Sequence, residues 1–483
     1  MSSLKKSFIA GFIWSFAGQA GYLLVGLLTN IILARLLTPY EFGQVGIVMF
    51  FIIISKVLTE SGLTGALVRK KDITEDDFST VFIFNLGISI FLFLLLLLFS
   101  GVIADFYDDQ ALQNILVALS FILIINAFQF TQNAKIVREL KFKKQSLYAL
   151  ISVIISSVIG IILGFLNYGV WALVIMQICN AFILTLVYWL FEGPVKSFVF
   201  NKDSFKSLYK FGVNTTLASL LISLFDNIYN LILGKYFSVQ QTGLFYQAKR
   251  LQEIPVGVIK SSTLGVVYST LAKLQDNREE FKKFYDRIVA IFTTLVGLIC
   301  LLIYFYAEQA ILLLYGEQWL GAVFYMQILI IASFFFMQEM LNRVLFKVFD
   351  RTDKILYLEI LKKIIQSCTI IIGVVFMDLQ ILLYGFLLTS VISYFINYYH
   401  SRKIYESFSW KEVIMVIKVV VVAVFVVVVF NNLNNYVMHL KGYYLFYLFP
   451  AIITIYVIIL KALNVIDIIK EIRNLFLQIL KKS

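Results

Sequence analysis

The segment 242–271 is mostly apolar, yet it carries four charged side chains and a tyrosine. These residues are Tyr246, Lys249, Arg250, Glu253 and Lys260. On a straight α-helix, Lys249, Glu253 and Lys260 would lie within about 40° of one another, and Tyr246 would join their face. Three cations with one acid predict a binding site for an anionic group, and the planar guanidinium of Arg250 suits phosphate in particular.

Pro255 lies in the same segment and predicts a kink that frees a backbone carbonyl. The preceding apolar segment, 209–235, has a polar stripe at three- and four-residue spacing, made of Thr215, Ser219, Ser223, Asp226 and Asn230. Such a stripe needs a polar neighbour inside a membrane. Asp226 falls at about the depth of Lys249 and Arg250, so we expect an ion pair between the two segments and a polar cavity lining around it.

Polar residues occur at comparable positions in the first two apolar segments. They are Gln19 and Asn30 in the segment 9–35, and Lys56 and Glu60 in the segment 42–66. We predict that these residues line the same cavity, with Lys56 as a further cation. A second interpretation stays open for Lys56–Glu60 and for the similar pair Glu339–Arg343. Both pairs have the spacing of local ion pairs or of side chains that snorkel to the inner interface.

The composition is that of a membrane protein. Hydrophobic residues make up 60% of the 483, charged residues only 14%, and the mean hydropathy is +0.88. A soluble domain would carry roughly 25% charged residues. The formal net charge of +12 does not indicate nucleic-acid binding, because the basic residues collect in loops between apolar segments and not in aromatic-interleaved patches.

Apolar segments long enough to cross a bilayer recur along the whole chain. A crossing needs about 20 residues, and on this basis the sequence predicts about 14 transmembrane helices. Their approximate ranges are 9–35, 42–66, 79–103, 111–133, 146–167, 169–191, 209–235, 242–271, 284–306, 319–345, 355–376, 380–400, 412–430 and 443–462.

The basic residues also set the orientation. With the N-terminus in the cytoplasm, most Lys and Arg residues fall on the inner side, while the outer side receives few cations and several acids. The outer charges are Arg35, Lys235 and Lys441 with Asp105, Asp108 and Asp109. The positive-inside rule therefore predicts that both termini lie in the cytoplasm.

The cysteines and histidines predict no disulfide and no metal site. Cys179, Cys300 and Cys368 lie far apart inside apolar segments, and His400 and His439 lie near opposite membrane surfaces. No cofactor is expected. The first apolar segment runs into a longer helix without an Ala-x-Ala site, so no cleavable signal peptide is predicted.

Two outer turns share a pattern at an interval of 200 residues. The first reads LARLLTPYEFG over 33–43, and the second reads LGKYFSVQQTG over 233–243. A leucine, a small residue, a basic residue, a hydroxyl and a glycine recur in register, and Asn30 and Asn230 extend the match. Since each half holds six spans, the halves have the same orientation and are related by an axis along the membrane normal.

We therefore predict an all-α polytopic membrane protein with two pseudo-symmetric six-helix lobes, 1–195 and 196–405. Two accessory transmembrane helices follow in 406–464, and the first of them is rich in valine and predicted to face lipid. The tail 465–483 has apolar residues at helical spacing with basic residues between them, which predicts an amphipathic helix on anionic lipid.

Four stretches carry a resemblance to known proteins: GFIWSF at 11–16, ILARLLTPYEFG at 32–43, ESGL at 60–63, and YQAKRL at 246–251 before Pro255. In these motifs the chain resembles the multidrug/oligosaccharidyl-lipid/polysaccharide exporter superfamily, and within it the polysaccharide-transporter branch, over essentially its whole length. The resemblance implies two lobes in a V shape that alternate access to a cationic central cavity.

The resemblance also implies a function. Proteins of this branch are flippases that move undecaprenyl-diphosphate-linked oligosaccharide across the bacterial cytoplasmic membrane for O-antigen, capsule or exopolysaccharide synthesis. The diphosphate would bind the cavity cations while the polyprenyl tail stays in the bilayer. Membrane lipids, a polysaccharide polymerase and chain-length proteins are the implied partners, and nucleic acid is not. The coupling ion, Na⁺ or H⁺, stays open.

Three other functions stay open at this point. A multidrug antiporter of the same fold would place carboxylates in the cavity, whereas the candidate charges here are mainly positive. A membrane glycosyltransferase or polymerase would need an acidic metal-binding motif or a large outer loop, and the short loops and two histidines argue against an enzyme. A lipid scramblase would need no coupling ion.

Overall fold

A computed structural model describes residues 2–60, 62–195, 197–405, 410–434, 445 and 447–465, and every regular element in these ranges is a helix. The first eight helices are α1 Ser2–Leu36, α2 Pro39–Glu60, α3 Leu63–Arg69, α4 Glu75–Phe106, α5 Ala111–Arg138, α6 Phe142–Phe165, α7 Val170–Glu192 and α8 Lys202–Tyr236. The next are α9 Val239–Leu274, α10 Arg278–Phe305, α11 Ala307–Leu314, α12 Ala322–Val348, α13 Thr352–Val375, α14 Leu379–Tyr405, α15 Lys411–Leu433 and α16 Phe449–Ala462. A 3₁₀ turn, Glu317–Trp319, lies between α11 and α12.

The all-α polytopic architecture is confirmed. By length and composition, 12 helices of the described ranges can cross a membrane, with α2 and α3 together counted as one of them. Two predicted spans are not in that set. α13 is long enough but carries three charged residues near its middle, and α16 has 14 residues. The exact number of fourteen therefore stays a prediction.

Two features of the helices were not predicted. The predicted second span, 42–66, is broken into α2 and α3, and Gly62 at the break has φ 61°. A Cβ atom at Gly62 would also overlap Thr215 and the carbonyl oxygen of Gly212 on α8. The chain turns here because glycine alone accepts both the left-handed backbone and the close approach. The short helix α11 lies where a plain outer loop was expected.

Packing divides the chain into two compact units, Met1–Gln247 and Ala248–Ser483. The first unit therefore contains α8 and the beginning of α9 in addition to the helices of the predicted first lobe. The extended connector before α8 is held in this unit by α4. The Ser79 hydroxyl donates to the carbonyl oxygen of Val199 over 2.9 Å, and the backbone N–H of Asn201 donates to Thr80 over 3.0 Å. The pseudo-symmetric lobes 1–195 and 196–405 stay a prediction.

In the second unit, α15 packs against α10. Val419, Val422 and Val426 on α15 are buried in this core, and the hydroxyl of Tyr456 on α16 donates to the carbonyl oxygen of Thr294 over 3.0 Å. The predicted lipid-facing helix thus buries one valine face in protein and exposes the other. The amphipathic tail and His439 fall outside the described residues.

Candidate functional site

The polar residues near the predicted outer end of the first unit form a buried contact. The side-chain amide of Asn30 on α1 donates to the carbonyl oxygen of the Gln247 side chain on α9 over 3.1 Å. Both side chains are buried, and so is Asn230 near the end of α8. The bond satisfies the side-chain oxygen of Gln247, whereas its side-chain nitrogen is buried without a hydrogen-bond partner among the described residues.

The candidate cations lie on α9, which continues through Pro255 as one helix from Val239 to Leu274. Lys249 is 3.8 Å from the carboxylate of Glu253, one turn further along, which makes an i,i+4 ion pair. Glu253 and Lys260 are exposed, and Tyr246, Lys249 and Arg250 are half-buried. Among the described residues, no carboxylate oxygen lies within salt-bridge distance of Arg250.

The remaining predicted site residues are accessible. Gln19 on α1, Lys56 and Glu60 on α2, and Asp226 on α8 are all exposed. The charged ones need water or headgroups around them, because a charge against acyl chains is costly. Asp226 belongs to the first compact unit and Arg250 to the second, so the predicted ion pair between their segments stays a prediction.

Two neighbouring aspartates in the turn between α4 and α5 hold the predicted outer surface of the first unit. The Asp109 carboxylate accepts hydrogen bonds from the hydroxyl of Tyr40 and from the side-chain amide of Gln44, both over 2.8 Å. The ammonium group of Lys235 lies 3.4 Å from the Asp108 carboxylate and donates to the carbonyl oxygen of Phe106 over 2.5 Å. The turn between α4 and α5 thereby fixes the start of α2 and the end of α8.

A buried charge cluster in the second unit was only partly predicted. Lys362 on α13 donates to Glu339 on α12 over 2.5 Å and to Glu359 over 2.7 Å. Arg343 pairs with Glu359 at 2.9 Å, and Asn397 on α14 donates to Glu339 over 2.9 Å. Of the two interpretations left open for Glu339 and Arg343, the local pair is not found, because each has its partner on α13. Charged residues inside the apolar run 355–376 were the signal that could have revealed the cluster.

A second buried pair was missed entirely. The guanidinium of Arg402 at the end of α14 pairs with the carboxylate of Glu412 at the start of α15. Asn342 on α12 donates to the same carboxylate over 2.6 Å, and Arg402 lies over the rings of Tyr285 and Tyr398 at 4.8 and 5.4 Å. This pair fastens α15 to the helices that precede it. The sequence counted Arg402 as an ordinary inner-loop cation.

The described ranges contain no set of metal ligands, because no three His, Cys, Asp or Glu side chains come together there. Cys179, Cys300 and Cys368 are free thiols. The described residues include a cationic helix, buried amides near the predicted outer surface and two buried ion-pair clusters.

A family model described as polysaccharide biosynthesis protein matches residues 32–324, which is more than half of the chain. The chain belongs to this polysaccharide biosynthesis family. It is 24% identical over 306 residues to the succinoglycan biosynthesis transport protein of Rhizobium meliloti strain 1021, and the alignment covers 63% of this chain and 62% of that protein. The match thus spans less than two thirds of that relative's length.

Solved structures show how widely this family's fold is shared. The lipid II flippase MurJ in an inward closed conformation has a TM-score of 0.74 at 16% identity, covering 92% of this chain and 98% of that one. A multidrug resistance transporter in an outward-facing conformation has a TM-score of 0.52 at 15% identity, covering 83% and 96%. All three matched proteins are described as transporters or flippases.

Proposed function

We propose that this protein is a flippase for a polyprenyl-diphosphate-linked oligosaccharide used in surface polysaccharide synthesis. The observation that carries the proposal is the family match over 32–324 together with a fold that covers 98% of a lipid II flippase. Cargo and partners follow from it: an undecaprenyl-diphosphate-linked glycan, membrane lipids, and a polymerase with its chain-length proteins. The protein works by alternating access in a bacterial cytoplasmic membrane, with both termini in the cytoplasm.

The α9 cations supply the chemistry that a diphosphate requires. Lys249 already has a carboxylate partner in Glu253, whereas Arg250 has none among the described residues. A half-buried guanidinium can donate two parallel hydrogen bonds to phosphate oxygens, and partial burial strengthens them. Arg250 is therefore the leading diphosphate ligand, with Lys249 and Lys260 adding positive charge along the same helix.

The Arg250→Ala variant tests this assignment. A charge-assisted hydrogen bond contributes about 1.5–3 kcal/mol, so the rate of transport at low cargo concentration should fall by about 10- to 100-fold. Arg250→Lys should recover only part of the loss because it lacks the two-pronged guanidinium. The measurement is translocation of undecaprenyl-diphosphate-linked oligosaccharide in proteoliposomes, followed by its accessibility to an external glycosidase. Lys282→Ala, which removes an exposed cation at the start of α10, is the matched control and should transport normally.

Other outcomes distinguish the alternatives. Normal transport by both Arg250→Ala and Lys249→Ala would overturn the ligand assignment and make the cations structural. Recovery of transport in the double variant Arg250→Ala/Asp226→Asn would make the pair a gate and not a cargo site. If the unaltered protein moves a cationic dye against a gradient but leaves the lipid-linked oligosaccharide in place, it is a multidrug antiporter and the proposed function fails.

A further inference from the structure

Helix α8 is attached to earlier helices at its predicted inner end. Leu208 is buried in an apolar cluster with Leu63 on α3 and Val81 on α4. Next to it, the ammonium group of Lys70 donates to the hydroxyl of Ser207 over 3.3 Å. The break between α2 and α3 meets α8 one turn further along. The first turns of α8 are therefore held against α3 and α4 by apolar burial and by a polar contact.

The connector that precedes α8 is bound as well. The hydroxyl of Ser79 on α4 donates to the carbonyl oxygen of Val199 over 2.9 Å and accepts from its backbone N–H over 2.8 Å. The backbone N–H of Asn201 donates to Thr80 over 3.0 Å. Movement of α8 away from α4 would break these hydrogen bonds, so the connector is poorly suited to act as a hinge.

The predicted outer end of α8 is attached to the same part of the chain. A Cβ atom at Gly234 would lie 2.6 Å from the Cδ1 atom of Ile47 on α2 and 3.1 Å from the ring of Tyr107, which follows α4. The backbone of α8 thus lies directly on both side chains. The ammonium group of Lys235 lies 4.7 Å from the ring centre of Phe106 and donates to the carbonyl oxygen of that residue.

Attachment at both ends of α8 bears on transport by alternating access. Rigid-body rocking separates the two moving bodies on one side of the membrane at a time. A helix bound to the same neighbours at both ends therefore belongs inside one body and not across the boundary. The sequence repeat predicts the boundary at 195/196, before α8. The boundary between the compact units instead lies after Gln247, inside α9.

Helix α9 has a weak point close to that boundary. Pro255 has no backbone N–H, so it removes the helical hydrogen bond to the carbonyl oxygen of Leu251. Before this point, Gln247 is bonded to α1. After it, the side-chain amide of Gln252 donates to the hydroxyl of Ser333 on α12 over 2.5 Å. The helix is thus held in the first unit at Gln247 and in the second from Gln252, with the weakened turn between them.

We propose that α8 moves with α1–α7 as one rigid body during transport, and that the hinge between the two moving bodies lies in α9 between Gln247 and Pro255. The inference rests on the proposed function, because it concerns transport by alternating access. Lys249 and Arg250 lie within the hinge. Bending of α9 therefore changes the direction in which these proposed diphosphate ligands point.

Cross-links at the two ends of α8 test the proposal, each in a background with the three native cysteines replaced by alanine. A disulfide in Ile47→Cys/Gly234→Cys fixes the outer end, and a short bifunctional methanethiosulfonate reagent on Lys70→Cys/Ser207→Cys fixes the inner end. The measurement is translocation of undecaprenyl-diphosphate-linked oligosaccharide in proteoliposomes before and after reduction. Each cross-linked protein should transport within about twofold of its reduced form, because neither link spans the moving boundary. Transport that stops on cross-linking and returns on reduction would overturn the proposal.

The hinge has its own matched pair of variants. Pro255→Ala restores the hydrogen bond to the carbonyl oxygen of Leu251 and stiffens α9, so transport should slow about fivefold. Pro194→Ala changes the exposed proline of the connector before α8 and should leave transport unchanged. A slower Pro194→Ala with a normal Pro255→Ala would place the hinge in the connector and contradict the proposal.

A distance measurement that needs no cargo separates this proposal from the proposed function. Spin labels at Asp72→Cys and Tyr236→Cys, both exposed, should give one distance population by pulsed electron paramagnetic resonance, whereas labels at Tyr236→Cys and Glu308→Cys should give two. Two populations for the first pair, or one population for both pairs, would sink the proposal. If the cysteine-free protein leaves the lipid-linked oligosaccharide in place, the proposed function fails, and the distances still decide whether α8 belongs to the first body.

Discussion

At the scale of single residues, polar and ionisable side chains inside apolar segments indicated some of the positions where polar contacts occur, but not the contacts themselves. Asn30 was predicted as a cavity residue, and its partner Gln247 was not. A local pair was one of two interpretations for Glu339 and Arg343, and both residues pair with α13 instead. Spacing along one helix reports only neighbours on that helix, whereas membrane helices satisfy their polar groups across helices.

The Arg402–Glu412 pair permits a direct test of this view. Arg402→Met would leave the buried Glu412 carboxylate without its cation, and breaking a buried pair from one side costs about 3–5 kcal/mol. We expect a marked fall in the thermal unfolding midpoint in detergent micelles. The double variant Arg402→Met/Glu412→Leu should regain most of it, because no charge is then left buried.

The exposed pair Lys283–Glu279 provides the control. Lys283→Ala should change stability by less than about 1 kcal/mol, since solvent screens such a pair. A double variant as unstable as Arg402→Met alone would show that side-chain packing, and not the pairing of charges, stabilises this site.

At the scale of helices, the sequence predicted most elements closely because apolar length and flanking charge determine where a helix can cross a membrane. α10, predicted over 284–306, spans Arg278–Phe305, and α14, predicted over 380–400, spans Leu379–Tyr405. The break at Gly62 was missed because hydropathy continues through it. The break is caused by the close approach of α8. This is a tertiary contact, and the local sequence pattern does not predict it.

Two glycines distinguish a tertiary requirement from simple helix propensity. Gly62→Ala would force an L-residue into the left-handed region, at about 1–2 kcal/mol, and would add a clash with α8. Its unfolding midpoint should fall clearly. Gly87→Ala, inside α4 with nothing near its Cβ position, should be neutral or more stable by about 0.5–1 kcal/mol. A Gly62→Ala variant as stable as Gly87→Ala would mean that the chain can run straight from α2 into α3.

At the scale of the whole molecule, composition predicted the structural class, and the distribution of basic residues predicted the orientation in the membrane. Neither of them predicted where the boundary between the two compact units lies. The first compact unit ends at Gln247, inside α9, because α8 packs on α2 and α3. A repeat in the sequence predicts equal numbers of spans in its two copies. It does not predict that a helix of the second copy packs with the helices of the first.

The orientation is a prediction with a simple test. Single cysteines at Asp72, between α3 and α4, and at Gln110, before α5, lie at opposite ends of α4 and are both exposed. In intact cells an impermeant maleimide should label Gln110→Cys at once and Asp72→Cys only after the membrane is permeabilised. Immediate labelling of Asp72→Cys would reverse the predicted topology.

Gly43 and Gly243 also bear on the two-fold relation predicted from the sequence repeat. A Cβ atom at Gly43 would overlap the carbonyl oxygen of Val239, and one at Gly243 would overlap that of Pro39, so each contact becomes the other when 200 is added to or subtracted from its residue numbers. A surface that meets a copy of itself through exchanged residues is the hallmark of a two-fold symmetric pair of identical subunits. If the predicted repeat arose from such a pair, this glycine lay in the interface of the ancestral dimer before duplication and fusion joined the copies. Relatives in which only one of the two glycine positions is small would speak against this history.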